Sequence, residues 1–567
     1  MKPVLVIRPV FLLKKYFPKV SSPKARFSVY TTFMTREEIY AALEAGNVVL
    51  GIELGSTRIK AIALAASTGT VIATGGFDWE NRLENGIWTY HLEEVEQGLQ
   101  ACYSSLIANI HSQYGCRVRR FAAIGISAMM HGYLAFNKEG QLLSPFRTWR
   151  NTCTQEAATI LSKEFNFNVP QRWSIAHLYQ LMLDKAPHLQ QLDFLTTLAG
   201  YVHWKLTGKR VLGIGDASGM FPVDGATGTY DSSMMATFNG FVEKSGFTWK
   251  LDTVLPQVLK AGDGAGQLTD CGAGWLDPTG MLESGIPLCP PEGDADTGMV
   301  ATNAVAVGKG NVSAGTSIFA MIVMQASLKK AYPEIDVITT PEGRPVAMVH
   351  GNNCTGDIDG WVRVFHELSQ SLGLQLPLSK LYDVFYQQAL VGEPHCGGLM
   401  SYNFLSGEHL VKLDSGRPLF MRLPDSNFTL GNLARSLLYS SMATLKIGLE
   451  VLVQEEGVEL QEMVGHGGLF KTPEASQRMM AAMGFPVSVL ETAGEGGAWG
   501  IAVLADYMLQ CKTYGSLGEF LQEKYFSSMA LSTVKPNPED VAGFATYMES
   551  FKSGLAVEAQ AGKWQGA

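Results

Sequence analysis

The chain has 567 residues, 46% of them hydrophobic and 17% charged, a globular composition with length for about two to four domains. Its net charge of −9, with no basic stripe interleaved with aromatics, excludes a general nucleic-acid binder. Eight cysteines (102, 116, 153, 271, 289, 354, 396 and 511) are scattered without a C-x-x-C or a nearby His pair, which favours free thiols over disulfides or zinc.

No apolar run reads as long enough to cross a bilayer, so a cytoplasmic protein without a membrane partner is expected. Residues 1–33 hold Lys2, Arg8, Lys14, Lys15, Lys19, Lys24 and Arg26 and no acid, and Pro3, Pro9, Pro18 and Pro23 interrupt them. Arg8 and Pro9 spoil the apolar core of a signal peptide. The reading is an extension ahead of a native start at Met34, with a targeting or membrane-surface arm as the alternative. Thr35-Arg36-Glu37-Glu38 then has the pattern of a capping box opening a short helix that ends near Gly46.

Residues 48–64 read as strand, tight turn, strand around Gly55-Ser56-Thr57. Gly51 and Gly55 permit close approach to backbone, two hydroxyls can donate, Arg58 and Lys60 bring positive charge, and Glu53 offers a carboxylate for a cation. An ordinary hairpin with a polar turn is the alternative at this point. A third strand follows at 71–77, then aromatic loops carrying Trp79 and Trp88, and a helix over 92–111 with Val95, Leu99, Tyr103, Leu106 and Ile110 on one face. A buried strand at 121–127 leads into Met129-Met130-His131-Gly132-Tyr133, and residues 134–140 form a hairpin. Strands, helix and strand again describe an α/β fold on a mixed sheet.

After a polar loop at 146–152, helices are expected over 153–164, 175–183 and 194–207. Asp216-Ala217-Ser218-Gly219 reads as polar loop, and 284–291 as loop before Glu292-Gly293-Asp294-Ala295-Asp296-Thr297-Gly298, with a domain boundary near 300. The second half repeats the opening. Residues 314–322 set Gly315-Thr316-Ser317 between two apolar runs, as residues 54–62 set Gly55-Ser56-Thr57, which suggests a duplicated domain presenting two hydroxyl-lined turns to one nucleotide. Helices are expected over 361–371, 430–455 (apolar enough to be buried), 472–483 and 501–508. Gly467-Gly468 and the cluster from Gly494 to Gly500 stand beside helix starts, suited to close approach of a nucleoside or to helix capping. The chain from Ala556 is expected to fray.

These motifs, in this order, resemble the FGGY family of carbohydrate kinases within the actin–hexokinase–Hsp70 superfamily. They are Gly51-Ile-Glu-Leu-Gly-Ser-Thr, Ile126-Ser-Ala-Met-Met-His-Gly-Tyr, Leu206-Thr-Gly, Asp216-Ala-Ser-Gly, Gly293-Asp294, Gly315-Thr-Ser, Phe404-Leu-Ser-Gly-Glu and Gly467-Gly468. The resemblance spans nearly all of residues 48–540. No Walker A, G-x-G-x-x-G, H-E-x-x-H or G-x-S-x-G pattern occurs.

The resemblance implies an α/β fold of two ribonuclease-H-like domains flanking a cleft. Residues 1–46 would be an extension plus helix, 47–300 the sugar-binding domain, 301–545 the nucleotide-binding domain and 546–567 a tail. It implies ATP- and Mg²⁺-dependent phosphorylation of a sugar or polyol hydroxyl, with sugar and ATP as partners and a homodimer among the open assemblies. Asp294 matches the family's catalytic aspartate, with Asp296 as competitor and helix capping as the plain alternative. Gly55, Ser56, Thr57, Gly315, Thr316 and Ser317 would face the phosphates, Gly467 and Gly468 the adenosine, and Gly497 the adenine pocket.

Met130, His131 and Gly132 match a segment bordering the substrate in xylulokinase-like members. Trp149, Arg150 and Asn151 fall where relatives carry an aromatic followed by polar residues, often with Asp. Trp79, Trp88 and Trp173 are either stacking surfaces or core. Glu53 stands where relatives place a Mg²⁺-orienting Asp. A ketopentose is the leading acceptor. Ribulose, fuculose, glycerol or another polyol, and a catalytically weak sugar- or nucleotide-binding regulator, are the alternatives; a chaperone ATPase would leave the sugar-side motifs without purpose.

Overall fold

The computed structural model describes residues 34–490, 496–527, 529 and 531–564. The expected extension over 1–33, and Gly494 of the late glycine cluster, lie outside those residues. Helix α1 (Arg36–Glu44) opens with the anticipated capping box. The Thr35 hydroxyl accepts from the Glu38 amide at 3.2 Å, and the Glu38 carboxylate accepts from the Thr35 amide at 2.7 Å.

The first sheet contains β1 (Val48–Leu54), β2 (Arg58–Ala65), β3 (Val71–Asp78), β4 (Ala123–Ala128) and β5 (Glu292–Gly293), in the spatial order β5-β4-β1-β2-β3. The second contains β6 (Lys309–Ala314), β7 (Ile318–Val323), β8 (Ile335–Thr339), β9 (Pro345–Gly351), β10 (Glu462–His466), β11 (Val487–Leu490) and β12 (Leu531–Val534), in the order β8-β9-β7-β6-β10-β11-β12. Each sheet has three neighbouring antiparallel strands (β1-β2-β3; β6-β7-β9, with β8 added at the edge beyond β9), a strand parallel to its first member (β4; β10) and one parallel strand beyond (β5; β11). The repeat seen in the turn sequences is therefore a repeat of topology. The central strands are mostly apolar and buried, as expected of sheets covered on both faces, with Glu53 on β1 and Asn311 on β6 among the polar exceptions.

Helix α2 (Leu92–Tyr114) covers β3, placing Val95, Leu99, Tyr103, Leu106 and Ile110 in the core and ending on the left-handed Gly115. Helix α3 (Asp294–Ala301) follows β5 directly, and α4 (Leu430–Glu450) is buried in the second half. Helix α5 (Gly496–Gln510) belongs by sequence to the second half but packs on β1, β4 and α3 of the first. Glycines make this possible. A Cβ on Gly51 would sit 2.2 Å from the Ala498 carbonyl oxygen, and one on its strand neighbour Gly125 would sit 2.5 Å from that of Ile501. One on Gly500 would reach the Thr297 carbonyl at 2.1 Å. Gly51, expected to receive a ligand, receives a helix backbone.

Several expectations are corrected. Residues 194–207 split into a strand, Phe194–Thr196, and a helix, Leu198–Thr207, because Thr197 caps the helix by accepting from the Gly200 amide. Asp216 to Ser218 lie not in a polar loop but at the end of a buried helical turn, Ile214–Ser218. The C-terminal stretch does not fray before Ala561. Helix α6 (Pro538–Ala561) stacks Phe551 on Tyr402, and Glu558 accepts from the Arg417 amide at 2.7 Å. One helical stretch, Leu430–Glu455, is long and apolar enough to cross a membrane, contrary to the reading of the sequence, but its apolar window is largely buried inside the protein.

Gly51→Ala forces its methyl against a backbone carbonyl that no rotamer change moves. It is expected to destabilise by roughly 1–3 kcal/mol, whereas Gly240→Ala, on a helix with open space around its Cβ, should be neutral or stabilising. Thermal unfolding of the two variants beside the parent checks the contrast.

Candidate functional site

The β1–β2 turn is held by aromatics. The Gly55 amide donates to the Arg58 carbonyl at 3.0 Å, and the Trp79 indole N–H donates to the Gly55 carbonyl at 2.7 Å. Tyr90, stacked on Trp79 with centroids 4.3 Å apart, donates to the Ser56 carbonyl, and the Trp149 indole donates to Ser56 Oγ at 3.1 Å. Trp79 therefore braces the turn and Trp173 is core. In the second copy, the Gly315 amide donates to the Ser317 carbonyl at 2.9 Å, and Thr355 donates twice to the Gly315 carbonyl. Gly467 is left-handed, and its missing Cβ leaves room for the Ala314 carbonyl.

Between the turns lies a cleft of about 450 Å³. Glu53, Ser56, Lys60, Met130, His131, Trp149 and Asp294 line it from the first half, Ser317 from the second, and Gly497 from α5. Gly55, Thr57, Gly315, Thr316, Gly467 and Gly468 belong to its two turns and their neighbour but do not line it directly. Arg58 turns away to Asp78 at 3.4 Å. Lys60, directly across the strand pair from Glu53, stands 3.8 Å from its carboxylate. A Cβ on Gly497 would collide with that carboxylate at 2.3 Å, so glycine here lets α5 close over Glu53.

The two competing aspartates both lie in the first turn of α3, on different faces of it. Asp294, the first helical residue, lines the cleft and accepts from the Met130 amide at 3.2 Å. Burial lifts its carboxyl to about 6, against the lowering effect of backbone donors. Asp296 points inward, fully buried, against Gly215. His131 has the left-handed backbone (φ 66°) and is bonded through Nδ1 to the Gly219 carbonyl at 3.0 Å. Burial lowers its pKa to about 3, so the ring is neutral and Nδ1 carries the proton donated to Gly219. Gly219 is the last residue of the Asp216-Ala-Ser-Gly motif, and a Cβ there would meet His131 Nδ1 at 2.7 Å.

Three expected sugar readers are placed elsewhere. Gly132 is a left-handed turn residue against the Arg147 carbonyl. Asn151 is buried and committed to backbone, accepting from the Trp88 amide at 2.9 Å and donating to the Trp88 and Thr148 carbonyls at 2.8 and 2.9 Å. Arg150 stacks on Trp88, 3.9 Å from the ring centroid, and lines a neighbouring groove rather than the cleft. Sequence reasoning missed Arg172, Asn311, His350 and His466, which also line the cleft. Asn311 is 1% exposed, and neither polar atom of its amide has a hydrogen-bond partner among the described residues. Its position on β6, the strand that runs into the Gly315 turn, was the available signal.

Residues 48–300 match the N-terminal domain of the FGGY family of carbohydrate kinases, and residues 310–509 match its C-terminal domain. The chain belongs to that family. It is 24% identical over 540 residues to a xylulose kinase of Haemophilus influenzae, covering 89% of this chain and 99% of the relative. Among solved structures, a xylulose kinase from Brucella ovis superposes with a TM-score of 0.70 at 18% identity (91% and 99% of the two chains). A gluconate kinase from Lactobacillus acidophilus gives 0.71 at 16% (90% and 99%). These two likenesses show the two-domain α/β fold.

Behind Asp294 this FGGY chain buries three further acids. Asp216 accepts from Thr197 Oγ1 at 2.6 Å, and Glu292 accepts from the Asp216 amide at 2.8 Å. Desolvation raises Asp216 to about 7 and Glu292 to about 8, and raises Asp296 well above the ordinary range with help from its acidic neighbours. An acid with a raised folded-state pKa holds its proton more tightly folded than unfolded. Its stabilising effect is therefore complete at low pH and is lost as pH climbs from about 4 through the folded values. The unfolding midpoint is expected to fall between pH 5 and 8, and Asp296→Asn should flatten that slope and raise the midpoint at pH 8. Calorimetry across this range reads both effects.

Proposed function

We propose that the protein transfers the terminal phosphoryl group of ATP to a hydroxyl of a ketopentose of the xylulose type, with Asp294 as general base. The observation carrying this reading is the position of Asp294, at the start of α3, in a cleft shared by both hydroxyl-bearing turns. The names of the Haemophilus influenzae and Brucella ovis proteins support the choice of sugar.

Asp294 accepts the proton of the attacking hydroxyl, and the Met130 amide fixes its orientation. Neutral His131 offers Nε2 to the sugar, and Met130 and Trp149 shape its pocket. Gly132 and Asn151 hold the loops that carry these groups. Gly55, Ser56 and Thr57 on one side and Gly315, Thr316 and Ser317 on the other surround the phosphates, Lys60 adds positive charge, and Gly467, Gly468 and Gly497 leave room for the nucleoside. Such catalysis is positioning plus charge stabilisation. Glu53 fits a cation that keeps most of its ligands as water and phosphate; it would hold Mg²⁺, which neutralises the charge on the phosphates.

Asp294→Asn is expected to lower turnover of D-xylulose by about 10²–10⁴-fold with the fold intact by circular dichroism. In the parent, kcat/KM should fall as pH drops below about 6, the value to which burial lifts Asp294. A coupled ATP assay with pentuloses, hexuloses, glycerol and gluconate tests the acceptor. Turnover of glycerol or gluconate but no pentulose overturns the sugar. Glu53→Gln should lose most activity while Glu53→Asp retains part, and a harmless Glu53→Gln would make this carboxylate structural.

A further inference from the structure

A second cavity, of about 910 Å³, opens from the acceptor side of the cleft and shares Trp149, Arg172, Met348 and His350 with it. None of Ser317, Gly467, Gly468 or Gly497, the residues assigned to the nucleotide, lines this groove. Of the residues assigned to the acceptor, Trp149 lines the groove, so a molecule filling it would meet the acceptor at that indole. At roughly 30 Å³ per water the groove holds on the order of thirty waters. By itself it lies within the range of about 300–1,000 Å³ that encloses a ligand larger than a five-carbon sugar.

The walls have the chemistry of a polyhydroxyl site. Trp149 is 40% exposed, and its indole N–H is tied to Ser56 Oγ, so the ring is a fixed platform between cleft and groove. Trp88 carries the Arg150 guanidinium on its face. On one flank, the helix Gln155–Phe165 presents exposed Gln155 and Thr159, bonded to each other at 3.1 Å. The floor is pinned across the two halves by Arg172 on Asp336 and by Asn168, which donates to Asp336 at 2.9 Å. Charge is balanced, since the two guanidiniums, Arg150 and Arg172, are matched by Glu334 and Asp336. Rigid indoles, amides and hydroxyls without net charge suit a neutral sugar ring and not a phosphorylated or carboxylated group.

We infer that the groove is an acceptor subsite for a second, neutral glycosyl unit, so that the preferred acceptor is a ketose carrying a further sugar ring. This rests on the kinase reading above. The test compares D-fructose with maltulose and lactulose, which add a glucosyl or galactosyl ring to the same ketose unit, and runs D-xylulose as the reference. Each is assayed with the full-length protein and with Thr159→Trp, which fills the groove from an exposed helix position away from the cleft.

The parent is expected to phosphorylate at least one of the two disaccharides with kcat/KM about tenfold above D-fructose, the order a stacked ring with added hydrogen bonds supplies. Thr159→Trp should erase that gain and leave D-xylulose and D-fructose unchanged. Disaccharides no better than D-fructose, or a Thr159→Trp that depresses all acceptors alike, overturn the subsite while the kinase reading stands. Failure of every acceptor, D-xylulose included, overturns both.

Discussion

The architecture depends on one close contact, the seating of helix α5 backbone-to-backbone on β1, β4 and α3. Gly51, Gly125 and Gly500 lie where any side chain would strike a carbonyl oxygen, so the helix rests on the sheet at a distance side chains ordinarily prevent. That approach does two things at once. It presses Gly497 onto Glu53, fixing the carboxylate beside Lys60, and it clamps the helix whose first residue is Asp294. Interiors packed this tightly transmit small displacements instead of absorbing them. Glu53 and Asp294 are thus referenced to one rigid element.

A second constraint joins the two halves away from the cleft. Strand β8 of the second sheet leans on the first half: the Thr339 amide donates to Ser218 Oγ at 3.0 Å, and Thr339 Oγ1 donates to the Ile214 carbonyl at 3.1 Å. The Ala261 amide donates to the Pro341 carbonyl at 2.8 Å. The same buried turn, Ile214–Ser218, ends beside Gly219, which receives His131. The segment that supports the His131 imidazole is therefore also the segment that holds the second half in place.

Much of this was legible in the chain. The repeated Gly-hydroxyl-hydroxyl turns announced two related sheets, because a strand–turn–strand pattern is set by residues adjacent in sequence. The Thr35–Glu38 capping box and the apolar face of α2 were readable for the same reason. What escaped was what distant segments decide. Gly51 looks like a ligand glycine until the helix at 496–510 is laid on it, and Asn151 looks like a sugar reader until Trp88 takes its amide. Asp216 sits among residues that read as polar loop, yet burial behind Asp294 makes it a proton-holding acid. Arg172, Asn311, His350 and His466 are far apart in the chain, three of them on different strands of the second sheet and Arg172 in a turn of the first half, and only the fold brings them together.

The late position of α5 has a consequence for how the chain is made. Domains commonly fold as they leave the ribosome, first half first. Here the first sheet cannot complete that course. With β1 and β4 already synthesised, the apolar backbone floor formed by Gly51 and Gly125 stays uncovered until residues 496–510 emerge. A truncation that removes the last part of the chain therefore leaves the earliest-made sheet unfinished.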